Sequence, residues 1–231
     1  MLTLRKAEDR GASRLDWLES YHSFSFSDYY DPAHMGFRSL RVINDDVIGA
    51  GGGFGTHAHR DMEIITYVLD GELEHKDSLG TGSIIRPGDV QKMSAGSGIR
   101  HSEFNHSSSA PVHLLQIWII PNKAGIAPGY EQLNFPREQK LGKLLLVAAN
   151  EDRKDLIRIN QDAKMYVTVL EGEQRVRHEL AAGRHAWVHV ASGAVSVNGK
   201  ALKAGDAVSV SGEPIEISAA PGGEVLLFDL A

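Results

Sequence analysis

The sequence predicts an all-β protein made of two stacked β-barrels. Short apolar runs rich in Val, Ile and Leu recur along the 231 residues, and Gly, Asn, Asp or Pro separates one run from the next. Strand-length runs with turn residues between them are typical of a sandwich or a barrel. One large sandwich is the alternative architecture. Helical patterning is scarce, although residues 14–20 and 151–156 could each form a turn or two.

An internal repeat favours two barrels over one sandwich. In the first half, Gly71 closes a strand pair, and Gly88 begins a Gly-Asp turn that enters another strand. In the second half, Gly193 and Gly205 occupy the equivalent places at a shorter separation. Self-similarity of this kind indicates that one structural unit occurs twice. The second half is therefore predicted to be a shortened copy of the first.

The predicted domain boundary lies where Pro, Gly and charged residues cluster, at residues 136–142. We expect an N-terminal domain of residues 1–136 and a C-terminal domain of residues 137–231. Within the second domain, Asn198-Gly199 stands between two apolar segments, and this dipeptide is the strongest short-range indication of a β-hairpin.

Composition excludes several classes of protein. Lys and Arg number 24 against 30 Asp and Glu, and the resulting net charge of −6 argues against direct binding to nucleic acid. The absence of cysteine excludes disulfides, thiolate zinc sites, iron–sulfur clusters and a cysteine nucleophile.

The first residues are charged and lack the apolar core of a secretion signal, and no apolar run approaches the ~18 residues of a membrane span. We therefore expect a cytoplasmic protein that does not contact a membrane.

Two pairs of polar residues have the spacing of metal ligands: His57 with His59, and His101 with Glu103. In a strand, residues i and i+2 point to the same face, whereas in a helix they diverge. Two such strands facing each other inside a barrel would bring three imidazole nitrogens and one carboxylate oxygen to one ion. Histidines on one strand face are also common as ordinary surface or core residues, so spacing alone leaves both interpretations open.

The predicted donor set suits a transition metal. Three imidazoles and one carboxylate fit Fe(II), Mn, Ni, Co, Cu or Zn, and they are too rich in nitrogen for Ca or Mg. Such a set leaves room for one or two further ligands on the ion.

The residues around both pairs resemble the two sequence motifs of the cupin family. The matching positions are Gly51, His57, His59, Glu63 and Gly71 for the first motif, and Gly88, Gly96, His101 and Asn105 for the second. The second motif departs from the usual pattern. Ser94 stands where Pro is usual, and four residues rather than two separate Gly96 from His101.

Longer blocks of the chain resemble the pirin family. The blocks are residues 17–26, 30–32, 35–37, 40–46, 57–64 and 98–105. The resemblance covers about residues 1–135 by these blocks and residues 136–231 by architecture. It implies a bicupin with one divalent metal ion, normally iron, in the N-terminal barrel.

The same resemblance implies which residues bind that ion. The ligands would be His57, His59, His101 and Glu103. In the second half, Glu179 and Ala181 stand at the positions equivalent to His57 and His59. The C-terminal domain is therefore expected to lack a metal.

Glu63 needs a separate account, because a buried carboxylate without a partner is costly. If one unbroken strand continued from His57, Glu63 would share its inward face. Either a bulge after His59 turns Glu63 away, or its carboxylate holds a histidine N–H beside the metal. We favour the second role.

For function, the pirin resemblance implies an enzyme similar to bacterial quercetinases, dioxygenases that open the flavonol ring with O2 and release CO. Its small-molecule partners would be an aromatic flavonol and O2. Glu103, a ligand with a flexible oxygen, would also be catalytic, accepting the proton of the flavonol 3-hydroxyl. Fe(II) is the expected ion, with Zn, Ni, Co, Mn or Cu as alternatives.

Two other functions stay open at this point. One is a non-catalytic, iron-dependent regulator that binds a protein partner, either a transcription factor or a metabolic enzyme. The other is a cupin that binds a small molecule and merely holds a zinc ion.

Overall fold

A computed structural model describes all residues 1–231. Nearly all of its regular structure is strand, which confirms the all-β prediction. The strands are β1 (Leu2–Arg5), β2 (Gly11–Leu15), β3 (Leu18–His22), β4 (Leu40–Ile48), β5 (Gly53–His59), β6 (Glu63–Asp70), β7 (Leu73–Asp77), β8 (Gly82–Ile85), β9 (Asp89–Ser94), β10 (Ile99–Asn105), β11 (Val112–Ile119), β12 (Gly129–Asn134), β13 (Leu145–Ala149), β14 (Ile157–Arg158), β15 (Ala163–Glu171), β16 (Arg175–His178), β17 (His185–Val197), β18 (Lys200–Lys203), β19 (Ala207–Ser211) and β20 (Ile215–Leu230). The helical segments are a 3₁₀ turn, Ala7–Asp9, and a one-turn α-helix, α1 (Arg137–Lys140). No helix has the length and apolar character needed to span a bilayer.

The chain divides into two compact units. The first unit is Gly11–Asn134, and the second unit combines Met1–Arg10 with Phe135–Ala231. This division departs from residues 1–136 and 137–231 chiefly in its first ten residues. They join the second unit because β1 pairs antiparallel with β19, which satisfies the main-chain groups of β1.

The first unit contains two antiparallel sheets. A four-stranded sheet has the order β5-β10-β7-β8, and a seven-stranded sheet has the order β12-β9-β6-β11-β4-β3-β2. Apolar side chains of both sheets, among them Leu73, Ile85 and Leu114, form a buried cluster. A smaller cluster is built around Ile64 and Met93. The inward-facing residues of β4, β5, β10 and β11 include polar side chains that line one cavity.

The second unit is built on one nine-stranded sheet. The main path has the order β1-β19-β17-β20-β15-β13-β14, with β16 paired to β20 and β18 paired to β17. Thirteen buried aliphatic residues from these strands, such as Val188, Val210 and Leu227, pack into a single core. The long strands β17 and β20 supply most of that core.

The predicted internal repeat is visible at the Gly-Asp turns. Gly88 has φ of 95° and Gly205 has φ of 83°, values that favour glycine. In the first turn, Asp89 Oδ2 accepts a 2.9 Å hydrogen bond from the main-chain N–H of Arg86. In the second turn, Asp206 Oδ2 accepts a 3.0 Å hydrogen bond from a main-chain N–H three residues earlier.

Of two local predictions, a hairpin at Asn198-Gly199 and a helical turn at residues 14–20, only the first is correct. The Asn198-Gly199 hairpin is confirmed, because both residues have positive φ and Val197 pairs with Lys200. The helical turn considered for residues 14–20 is wrong, since these residues lie within the β2–β3 hairpin. On β3 the buried residues alternate with more exposed ones, which is the period of a strand.

Candidate metal centre

The two predicted ligand pairs lie on neighbouring strands of the four-stranded sheet. β5 carries His57 and His59, and β10 carries His101 and Glu103; the strands pair antiparallel with His101 opposite His57. The imidazole centroids of His57 and His101 are 4.4 Å apart. Those of His57 and His59 are 4.7 Å apart, and those of His59 and His101 are 4.9 Å apart. The alternating spacing therefore brings three imidazoles to one point.

A β-bulge lies beside the first ligand pair, His57 and His59. Between His101 and Glu103 the register with β5 shifts by one residue, which bends the bulged strand. Next to the bulge, His57 Nδ1 donates a 2.9 Å hydrogen bond to the carbonyl oxygen of Gly55. The lone pair of the His57 ring is therefore on Nε2. A Cβ atom at Gly53 would lie 2.4 Å from the main-chain oxygen of Glu103, so glycine permits this close approach of β5 to β10.

The three histidines present a set of nitrogens suited to a metal ion. One ring nitrogen each from His57, His59 and His101 lies within 4.8 Å of the other two. His101 is buried, and neither of its ring nitrogens has a hydrogen-bond partner. Burying such a group without a partner costs about 1–3 kcal/mol. A divalent ion bound to one of these nitrogens would supply a partner, so the residues fit a metal.

The protonation states also suit metal binding. Burial, with the nearby His57 as the next cause, lowers the pKa of His101 to about 3. Burial, with His101 and His57, lowers the pKa of His59 to about 4. Both rings are therefore neutral at neutral pH, and a neutral imidazole is the form that binds a metal.

Glu103 faces the same interior and is held by two neighbouring side chains. Gln116 Nε2 donates hydrogen bonds of 3.1 Å to Oε1 and 2.9 Å to Oε2 of the carboxylate. The Thr66 hydroxyl lies 3.4 Å from Glu103 Oε1 and 2.9 Å from Gln116 Oε1. The Glu103 carboxylate also lies close to His101 and His75. One ligand atom from each of these three residues lies within 4.8 Å of the other two.

His75 was not among the residues that the sequence indicated. It lies on β7 directly opposite Glu103, is fully buried, and its ring centroid is 5.3 Å from that of His101. His75 Nε2 donates a 3.1 Å hydrogen bond to Asp77 Oδ2. Burial alone would raise the pKa of Asp77, but this hydrogen bond and those from two main-chain N–H groups hold the pKa below its ordinary value. The available sequence indication was the spacing of His75 and Asp77, which matches that of His101 and Glu103.

Glu63 lies on a different strand from the histidines. β5 ends at His59, Asp61 adopts a positive φ of 49°, and Glu63 begins β6 in the seven-stranded sheet. Because side chains alternate along a strand, Glu63 and Thr66 are on opposite faces of β6, and Thr66 is the one that faces Glu103. This placement favours the account in which the chain turns away after His59. The proposed contact of Glu63 with a histidine stays a prediction.

A cavity of about 690 Å³ opens beside the histidines. His57, His59 and Glu103 line it, and its volume falls within the ~300–1,000 Å³ of small-molecule sites. Aromatic side chains form much of the remaining wall, namely Trp17, Phe26, Phe54 and Trp118. The Trp118 ring stands edge-on to His59 at 5.0 Å and to Phe26 at 5.3 Å.

The cavity also has a largely buried polar wall that sequence reasoning missed. Its members are Ser13, Ser20, His22, Asn44 and Asp46. His22 Nδ1 donates a 2.8 Å hydrogen bond to Asn44 Oδ1, and the Ser20 hydroxyl donates to Asp46 Oδ1. Burial raises the pKa of Asp46 to about 7. These residues come from β2, β3 and β4, and only the strand register shows that they share one cavity.

Two histidines of the second unit have hydrogen-bond partners. His185 Nδ1 lies 2.6 Å from the Ser211 hydroxyl, and His178 Nε2 lies 2.8 Å from Asp229 Oδ2. Glu179 accepts a hydrogen bond of 2.6 Å from Arg177. Both groups of side chains that are close enough to share a metal ion lie in the first unit.

Comparison with known proteins identifies the family. Residues 3–119 match the Pirin family, and residues 146–230 match the quercetinase C-terminal cupin domain. The chain belongs to the pirin family. This pirin has two cupin-type domains, so the prediction of a bicupin is confirmed.

The similarity to curated relatives extends over the whole pirin chain. It is 48% identical over 231 residues to quercetin 2,3-dioxygenase of Escherichia coli K12, covering 100% of this chain and 99% of that one. It is 40% identical over 230 residues to a pirin-like protein of Caulobacter vibrioides, covering 98% and 99%. A solved structure of the Escherichia coli bacterial pirin YhhW in complex with nickel(II) superposes with a TM-score of 0.94, at 48% identity and with 100% and 99% of the two chains covered.

Proposed function

We propose that this pirin is a metal-dependent dioxygenase that opens the ring of a flavonol with O2 and releases CO. The observation that carries the proposal is the convergence of three imidazoles, two of which line an aromatic-walled cavity of about 690 Å³. In this reaction two carbon–carbon bonds of the heterocycle break, both atoms of O2 enter the organic product, and the carbon between the broken bonds leaves as CO. The names of the full-length relatives support the same substrate class.

We infer that His57, His59, His101 and Glu103 hold the ion. When bound, the ion would act as a Lewis acid that lowers the pKa of a flavonol hydroxyl, with positions left open for substrate. Fe(II) is the ion we propose, and the same donors also suit Ni, Co, Mn, Cu or Zn. The nickel(II) complex of YhhW supports a divalent ion in this family.

Glu103 is the residue we assign to proton transfer. Its carboxylate lines the cavity, and Gln116 and Thr66 fix its orientation. Glu103 would accept the proton of the flavonol 3-hydroxyl on one oxygen, while the Gln116 amide continues to donate to the carboxylate. A base that is held by neighbouring side chains loses little freedom when the substrate binds.

The aromatic wall would select and orient the substrate. Phe26 and Trp118 contact each other edge-to-face, as do Trp17 and Phe54 at 5.0 Å, so these rings form rigid apolar surfaces. A planar flavonol could pack against them and exclude water from the reacting atoms. The polar wall around Asp46 would face the hydroxyl groups of such a ligand.

We also propose that the metal chemistry belongs to the N-terminal domain. His57, His59, His101 and Glu103 all lie within residues 1–136, whereas residues 137–231 would form a cupin domain without metal. The aliphatic core of the second unit supports this division.

Metal loading followed by a flavonol assay tests the proposal. The metal-free protein is loaded anaerobically with Fe(II), Ni, Co, Mn or Cu and then exposed to quercetin and air. We expect loss of the flavonol absorbance together with release of CO, and much slower loss in Glu103→Gln. His185→Ala, in the second unit, serves as the matched control and should react at the native rate.

Absence of turnover with all five metals would contradict the enzymatic function. Two hypotheses would then remain: an iron-dependent regulator with a protein partner, and a cupin that binds a small molecule and holds a zinc ion.

A further inference from the structure

His75 is a fully buried histidine of the metal-binding barrel that the proposed function does not use. It lies on β7, the strand that pairs with β10 on the side opposite β5. In this pairing His75 is directly opposite Glu103, and Asp77 is directly opposite His101. Two predicted ligands on β10 therefore have a histidine and a carboxylate as neighbours on β7.

The side chains of His75, His101 and Glu103 also lie close to one another. One ring nitrogen of His75, one of His101 and one carboxylate oxygen of Glu103 lie within 4.8 Å of one another. The three residues are all buried, whereas His57 and His59 are half-buried. The group of His75, His101 and Glu103 is thus the more deeply buried of the two.

Asp77 holds His75 in the orientation of a metal ligand. A carboxylate is only an acceptor, so Asp77 Oδ2 takes the N–H of His75 Nε2 at 3.1 Å. The lone pair of the ring is then on Nδ1, which is buried and has no hydrogen-bond partner. Histidines that bind metals usually donate their other N–H to a carboxylate or carbonyl in this way.

We propose that His75, His101 and Glu103 form a second position for a divalent transition-metal ion, deeper in the barrel than the position at His57 and His59. Two imidazoles and one carboxylate are the donor set of many non-haem Fe(II) sites. The two positions share His101 and Glu103, and a neutral imidazole has one lone pair, so one ion occupies one position or the other. This inference concerns where the ion binds and does not require that a flavonol is the substrate.

Removal of the outer ligands tests the proposal in the full-length chain. The double variant His57→Ala/His59→Ala loses two donors of the outer position and none of the inner one. Cobalt(II) alone is titrated into the metal-free protein by calorimetry, and anomalous diffraction at the cobalt edge then locates the ion. We expect one equivalent of cobalt to bind, with the anomalous peak at bonding distance from His75.

A third substitution isolates His75. In the double-variant background, His75→Ala should weaken cobalt binding about a hundredfold or more. His106→Ala, at an exposed position just after β10, is the matched control and should change the affinity by less than about threefold. If the alanine variants do not fold, His57→Gln/His59→Gln keeps the side-chain volume and serves the same purpose.

Two results would overturn the inner position. One is a folded double variant, verified by its unfolding transition, that binds no cobalt or binds it away from His75. The other is a double variant whose cobalt affinity does not change when His75 is replaced. Neither result bears on flavonol turnover by the native protein, so failure here is distinct from failure of the proposed function.

Discussion

Each of the two units contains a Gly-Asp turn of the same kind, but different residues fill their interiors. Asp89 and Asp206 make the same hydrogen bond to a main-chain N–H three residues earlier. In the first unit the inward-facing residues surround a cavity with His59 and Glu103 among its polar groups. In the second unit the interior is a continuous aliphatic core that includes Leu227.

This difference shows which positions determine function. Buried polar groups are tolerated where they hydrogen-bond one another or bind a metal, as Glu103, Gln116 and Thr66 do in the first unit. In the second unit, Val and Leu fill the interior of a similar β scaffold. A few inward-facing residues on particular strands, rather than the scaffold, therefore determine the chemistry.

Loss of His101 should have the largest effect, because this residue belongs to both groups of side chains that could hold a metal ion. We expect His101→Ala to reduce the bound metal from one ion per chain to almost none after dialysis against a chelator, measured by elemental analysis. His185→Ala in the second unit should keep the native metal content. Equal metal content in the two variants would contradict the assignment of the metal to the first unit.

The aliphatic core should respond in the opposite way. Leu227 is fully buried in the core of the second unit, so Leu227→Ala should lower the free energy of unfolding by about 2–5 kcal/mol. Urea unfolding of the metal-free protein measures this change. The folded variant should bind metal as the native protein does, and a loss of metal would show that the two interiors are not independent.

Gln116 should have an intermediate effect, since it donates to both oxygens of Glu103. We expect Gln116→Leu to weaken metal binding about 10–100-fold, because residues that orient ligands contribute this much. Competition with a chelator measures the affinity. Gln132→Leu, on β12 and hydrogen-bonded to Asp89 instead, should bind metal with the native affinity.

The smallest expected effect is a pH dependence at Asp46. Burial raises the pKa of this carboxyl to about 7, whereas in the unfolded chain its ordinary value is 3.8. Between these values the folded protein keeps a proton that the unfolded chain releases, so the Asp46 contribution to stability is lost as the pH rises.

Asp46→Asn removes that titration. We expect the free energy of unfolding of the variant, relative to the native protein, to rise between about pH 4 and pH 7 and to level off above it. Urea unfolding of both metal-free proteins across this range provides the measurement. Parallel pH profiles would show that Asp46 is ionised in the folded protein throughout.

The sequence was informative where one strand carries the pattern. The pairs His57/His59 and His101/Glu103 could be read locally, because alternation along a strand directs both members to one face. Asp46 and His75 could not be assigned in this way, since their place in the cavity depends on which strands are neighbours and in what register. Residues 14–20 were misread for a related reason: a short segment with mixed polarity fits a helical turn or a hairpin until its partner strand is known.

Anomalous diffraction from crystals of the native, metal-loaded protein tests the central claim most directly. The account predicts one strong peak per chain, in the first unit and at bonding distance from a ring nitrogen of His101, with no peak in residues 135–231. A peak bound within the second unit, or a metal-loaded crystal in which His101 has no ion at its ring, would contradict it.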